Sequence, residues 1–174
     1  MADLASQITA VTVGLIDEVQ IVSIAARRGK AGELKDRLRT LLRIEAPDGP
    51  RRSWTDDLSL LGVGPDRWLA VREAASPPLF ALELELAGLA AVCDQGDAYA
   101  VFAVAGPAAR RVLAKGAPVD LDPGVFGLDS VAATLVAHMG VILWRTEDGF
   151  RIAVFRSYAA SFRHWLDAAA AEFL

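Results

Sequence analysis

Apolar positions recur along the chain with two periods, and the switches between them lay out the elements. Residues 19–26 (VQIVSIAA) are a β-branched run bounded by Arg27-Arg28-Gly29 and predict a strand. Leu34, Leu38, Leu41 and Leu42 then return at helical spacing, with Lys35, Asp36, Arg37 and Arg39 between them. This pattern predicts an amphipathic helix over 31–44. The Pro- and Gly-containing stretch 45–53 reads as a loop. A hairpin pattern follows, from Leu58–Val63 through Gly64-Pro65-Asp66 to Arg67–Val71. Pro sets φ for the turn and Asp closes it by local hydrogen bonding. A helix is expected from Pro77-Pro78 to about Ala87, stopped by Gly88.

The second half repeats this order. Residues 98–105 (AYAVFAVA) predict a strand, and Gly106-Pro107 opens a helix over 107–115 with Val112 and Leu113 inward. After a long loop at 116–129, strands are expected at 131–137, 140–145 and 150–155. The Asp148-Gly149 pair signals the last hairpin. A helix over 158–172 places Phe162, Trp165, Leu166 and Ala169 on one face. Each half reads strand, helix, hairpin, helix, and the first strands start at residues 19 and 98, 79 positions apart. The expected fold class is α+β, with two related halves sharing an antiparallel sheet and helices packed on its faces.

Composition narrows the function classes. In 174 residues, 53% are hydrophobic, which opposes intrinsic disorder. Eighteen Lys and Arg against 22 Asp and Glu leave a net charge of −4. That balance argues against a protein built to bind nucleic acid. A single cysteine, Cys93, excludes an internal disulfide framework and a multi-cysteine metal site. No basic region precedes the mildly apolar residues 1–18, and no run approaches the ~18 apolar residues of a membrane span. A soluble, cytoplasmic protein without membrane contact is the expectation. The apolar excess suits a face kept for a partner, or alanine richness alone.

No convincing catalytic constellation emerges. His164 is spaced to face Ser161 on one helix, and His138 lies in a turn. Both suit solvated histidines. Asp94 and Asp97 flank a short acidic loop that suits an Asp-capped turn better than a cation site, which would need further oxygen ligands. Cys93 has no neighbouring cation in sequence and is expected to be a buried, inert thiol. No catalytic, cofactor-binding or metal residue is assigned. The four tryptophans, Trp54, Trp68, Trp144 and Trp165, are candidates for core or interface. Arg51 and Arg52 beside Trp54, and Arg67 beside Trp68, combine arginine with an aromatic as interface centres do. These five residues form the expected partner face.

Between residues 94 and 166, the segments DQGDAYAVFAVAGPAARRVLAKGAPVDLDPGVF, AATLVAHMGVILWR and FRSYAASFRHWL resemble the gamma subunit family of heterotetrameric sarcosine oxidase. GVGPDRWLAV at 62–71 is similar to the same family's Gly-Pro-Asp-x-Trp segment. The resemblance covers roughly residues 19–173 and is most specific at Gly106–Gly116, supported by Leu143-Trp144-Arg145. It implies a fold like the folate-binding aminomethyltransferases of the glycine cleavage system, which also contain two related halves. The implied layout is an N-terminal extension over 1–18 and one folate-binding-type domain over 19–174, with pseudo-repeats at 19–90 and 98–172. The implied role is non-catalytic: structural support for the folate domain of an alpha subunit, with beta and delta subunits in the complex. That complex demethylates sarcosine oxidatively to glycine. FAD, FMN, NAD and tetrahydrofolate would belong to the parent complex, with none bound by this chain. Where the aminomethyltransferases carry an acidic residue for folate, the stretch His138–Trp144 has Leu143 and Trp144. The alternative is a stand-alone folate-binding or regulatory protein of one-carbon metabolism, with Asp94 and Glu147 as loop carboxylates. A self-associating dimer is the form expected when the partner is absent.

Overall fold

The computed structural model describes residues 10–75 and 77–173. Ten strands and four short helices run in the order β1 (Thr12–Leu15), β2 (Gln20–Ala26), α1 (Ala31–Leu42), β3 (Arg52–Trp54), β4 (Leu58–Gly64), β5 (Arg67–Arg72), α2 (Leu82–Glu85), β6 (Ala90–Asp94), β7 (Tyr99–Ala105), α3 (Ala109–Ala114), β8 (Val131–Val136), β9 (Met139–Arg145), β10 (Gly149–Phe155) and α4 (Ala159–Ala170). The α+β class and the antiparallel pairing agree with the sequence reading. The halves do not share one sheet, however. They form two five-stranded sheets, ordered β3-β4-β5-β2-β6 and β8-β9-β10-β7-β1. The two orders match strand for strand.

The reason for two sheets lies in the central strands, which are apolar on both faces. In the first sheet, Val22, Ile24, Leu60, Trp68 and Ala70 pack against Leu34 and Leu38 of α1 and Leu82 of α2. In the second, Phe102, Val104, Leu143 and Ile152 pack against Val112 and Leu113 of α3 and Phe162 and Leu166 of α4. The opposite faces meet each other through Ile21, Leu61, Leu69, Val101, Trp144 and Ala153. The result is four layers, helices–sheet–sheet–helices, in which each sheet is covered on both sides.

The strand that precedes each expected repeat start joins the sheet of the other half. β1 pairs with β7 of the second half (Thr12↔Ala105 to Leu15↔Phe102), and β6 pairs with β2 of the first (Val22↔Asp94 to Ala26↔Ala90). Residues 12–15 therefore belong to a sheet and not to an extension. The loop expected at 45–53 ends in β3, whose one strand partner among the described residues is β4 and whose Arg52 amide also donates to the Asp129 carbonyl at 2.6 Å. The helix expected at 77–87 is a 3-10 turn at Leu79–Ala81 followed by the single turn α2. Gly88 ends it as anticipated, with φ at +81°. The helix expected at 107–115 is confined to 109–114, and α4 is flanked by 3-10 turns at 156–158 and 171–173.

Turns behave as the residues dictate. Pro65 precedes Asp66 at φ +52°, and Ala137 and His138 both take positive φ in the two-residue β8–β9 turn. Gly62 in β4 is required for space. A Cβ there would lie 2.0 Å from the carbonyl oxygen of Gly49.

Candidate functional site

The space between the sheets is finished differently at its two ends. One end is framed by the starts of β4 and β10 and the ends of β5 and β9. Arg52, from the neighbouring edge strand β3, donates from Nε to Ser59 Oγ at 2.9 Å and from Nη1 to the Arg145 carbonyl at 2.9 Å, tying the first half to the second. Its guanidinium also lies 4.5 Å from the ring centroid of Trp54. Burial pulls the Arg52 guanidinium down to about 10, partly opposed by Glu73, so it stays charged at neutral pH. Arg151 crosses the same gap. Its Nε stands 3.1 Å from Glu73 Oε1, and its Nη1 donates to Thr146 Oγ1 and Asp148 Oδ1, each at 3.2 Å. Burial pushes the Asp148 carboxyl up, but the Thr146 hydroxyl and Arg151 outweigh it and hold the group below the usual carboxylate range. Outside this cluster, Arg51 pairs with Asp129 at 2.8 Å.

The other end is an open cleft of about 700 Å³, a volume in the range of ligand and anchor pockets. Its walls come from β2, β5 and the end of β4 on one side and from β8, β9 and β10 on the other. Val63, Leu69, Leu135, Ile142 and Phe155 make it apolar. Tyr99 stacks on Phe155 with ring centroids 4.9 Å apart, and burial raises the Tyr99 hydroxyl above its ordinary range. Gln95, Thr134 and Arg67 complete the lining. No Asp or Glu lines it among the described residues, and Arg67 is its one charged residue.

The expected partner face divides between these regions. Trp54 is 41% exposed on the edge strand β3. Trp68, by contrast, is 2% exposed, and its Nε1 donates to the Pro47 carbonyl at 2.9 Å. As a partner-facing anchor it is corrected: in β5, even-numbered side chains turn to the helix layer, and Trp68 is core. Arg51 and Arg67 are exposed, and Arg52 is a half-buried tie between the halves. The tie through Arg151 and Glu73 was not anticipated. Its available signal was a lone arginine inside the apolar strand FRIAVF.

The other candidate groups sit apart. His138 lies in the β8–β9 turn beside Trp165, and His164 and Ser161 are exposed on α4. Asp94 caps its own turn, accepting from the Gly96 amide at 2.8 Å. The Asp97 carbonyl accepts from Arg156 Nε at 3.0 Å. Cys93 is exposed, which corrects the expectation of a buried thiol. It stands on edge strand β6, whose outward-facing positions are wet. Among the described residues, no three His, Cys, Asp or Glu side chains converge to hold a metal ion. Leu143 and Trp144 are fully buried, one toward the helices and the other between the sheets. No described helix is long and apolar enough to cross a membrane.

Known proteins share this arrangement. Of the chain, 95% superposes on 86% of a chain of heterotetrameric sarcosine oxidase from Corynebacterium sp. U-96, solved in complex with pyrrole 2-carboxylate, with a TM-score of 0.84 and 29% identity. The aminomethyltransferase T of the glycine cleavage system from Bartonella henselae shares the fold, with a TM-score of 0.64 at 18% identity over 91% of this chain and 46% of that one. Sarcosine oxidase subunit gamma from Arthrobacter sp. is 35% identical over 117 residues, and that from Corynebacterium sp. strain U-96 is 36% identical over 117. These stretches take in 66% of this chain but 58% and 57% of the relatives' own lengths. Residues 42–172 match the family model described as sarcosine oxidase, gamma subunit family, and the chain belongs to that family.

Proposed function

We propose that this chain is the non-catalytic gamma subunit of a heterotetrameric sarcosine oxidase. In this reading it supports the folate domain of the alpha subunit, within a complex that also holds beta and delta subunits and demethylates sarcosine oxidatively to glycine. The observation that carries the reading is the superposition of 95% of the chain on a chain of a heterotetrameric sarcosine oxidase. The scatter of His138, His164, Cys93, Asp94 and Asp97 supports a role without chemistry of its own, since a nucleophile, a base and an orienting group must meet at one place. FAD, FMN, NAD and tetrahydrofolate are assigned to the partner subunits, and the complex to the cytoplasm.

A folate site within this chain fits poorly. A pterin calls for a carboxylate, and the apolar cleft is lined by none among the described residues. Buried Leu143 and Trp144 offer no acid either. No step is therefore assigned to folate on this chain. Adding folate to the isolated protein is expected to leave its tryptophan fluorescence unquenched at high micromolar concentration. Saturable quenching would favour the stand-alone folate-binding reading instead.

The decisive experiment is co-expression with alpha, beta and delta subunits, the alpha subunit carrying an affinity tag. This chain is expected to co-purify in equal amount, and leaving it out is expected to lower the yield of sarcosine-oxidising complex. A chain that elutes alone, with full activity in the complex lacking it, would sink the proposal.

A further inference from the structure

The outer edge of β8 carries a gap in an otherwise satisfied row of backbone groups. In an antiparallel pair, alternate residues turn both backbone polar groups away from the partner strand. In β8 the outward residues are identified by their bonds. The Val131 amide donates to the Pro50 carbonyl and the Ala137 amide to the Gly116 carbonyl, each at 3.1 Å. Ala133 and Leu135 lie between them in the same phase, and β8 pairs with β9 alone. Their amides and carbonyls have no hydrogen-bond partner among the described residues. Edge strands are ordinarily protected by charge, proline or a bulge. This one presents Ala133, Thr134 and Leu135, with Leu135 51% exposed.

A groove follows the same edge. Val63 and Ala133 belong both to the apolar cleft and to a hollow of about 360 Å³ floored by Gly49-Pro50 and the 62–65 turn. Leu135 is shared between the cleft and the depression beside His138 and Trp165. Free ladder groups beside a continuous apolar groove are what strand addition requires. The main chain supplies the bonds, and alternate side chains fill the groove. A compact ligand would fill the cleft but leave the ladder groups bare. The charge is specific too. Arg67 is the one charged residue of the cleft lining and has no ion pair among the described residues, whereas the arginines of the opposite end are all engaged.

We propose that the β8 edge at Ala133 and Leu135 receives an extended apolar segment of the alpha subunit as an added strand, with a carboxylate of that segment meeting Arg67. This rests on the subunit reading above. Ala133→Pro is the direct test, because the Ala133 amide is not used by the β8–β9 ladder and an outward proline is tolerated on an edge strand. Leu135→Lys and Arg67→Glu probe the groove and the charge, and Leu135→Lys decides the matter if the proline variant does not fold. Each full-length variant is co-expressed with tagged alpha subunit and with beta and delta.

Recovery of folded Ala133→Pro and Leu135→Lys with the alpha subunit is expected to fall at least about tenfold, and that of Arg67→Glu several-fold. Hydrogen exchange at the 133 and 135 amides is expected to be fast in the isolated chain and slowed in the complex. Folded variants recovered like the wild type, with unslowed exchange, would overturn the docking edge and leave the subunit reading intact. A wild-type chain that fails to co-purify would overturn both. An isolated dimer that Ala133→Pro converts to monomer, with assembly unaffected, would assign the edge to a second copy and overturn the proposal.

Discussion

The two ends of the inter-sheet space occupy equivalent positions in the repeat, framed by corresponding strands of the two halves, yet one is closed and the other open. At the closed end, Arg52 and Arg151 reach from one half to polar groups of the other. At the open end, the same space is lined by Leu69, Leu135, Ile142 and Phe155, with Arg67 its one charged residue among the described residues. The interior between the ends is common to both and is built from Ile21, Leu61, Leu69, Val101, Trp144 and Ala153. Duplication therefore supplied one scaffold twice, and a few polar substitutions made one mouth a fastening and left the other available. A fastening holds the halves in register through bonds that cross between them. An open apolar mouth contributes little to the fold and is free to act in assembly.

Emptying the shared interior is expected to have the largest effect. Trp144 is fully buried beside the closed end, cross-strand from Val131 and Arg151. Trp144→Ala should cost about 3–5 kcal/mol in urea unfolding, as large-to-small core changes do. A loss under about 1 kcal/mol would mean that the two sheets do not rely on this layer. Next comes Arg151→Ala, which leaves Glu73 and Asp148 without their partner. A loss of about 1–3 kcal/mol is expected from the same measurement.

The third expectation concerns pH. The Asp148 carboxyl titrates below its ordinary range in the folded chain. Its stabilisation is complete above the unfolded value of about 4 and is lost as pH falls through the lower folded value. Melting temperature followed from pH 5 downward should drop, and Arg151→Ala should flatten that drop. An identical acid profile in the variant would detach Asp148 from the fastening. The smallest effect belongs to the open end. Arg67→Ala should change stability by no more than about 0.5 kcal/mol, the usual range for an exposed side chain. If it matched Arg151→Ala, the contrast between the ends would be wrong.

Much of this organisation was readable along the chain. α1 follows from the leucine spacing of 34, 38, 41 and 42, and the β4–β5 hairpin from Gly-Pro-Asp. Both depend on neighbours within a few residues. The missed strands, β1, β3 and β6, are short and lie at sheet edges, where a strand needs little apolar pattern. Two of them depend on distant partners: Thr12 meets Ala105, and Ser23 meets Cys93. The same limit explains the tryptophans. Trp54 and Trp68 look alike in sequence, each near arginine, but strand phase buries one in the helix layer and leaves the other at an edge.

Periodicity and turn chemistry were enough to establish the α+β class and the duplicated order of elements, and the segments at 62–71 and 94–166 carried the family resemblance, because these are encoded by residues close together in the chain. The split into two sheets, the exchange of β1 and β6, the closed and open mouths and the gap on β8 were settled by packing. Each depends on contacts between segments well separated in the chain, as where Ala26 meets Ala90 and Thr12 meets Ala105, and local pattern carries no record of that choice.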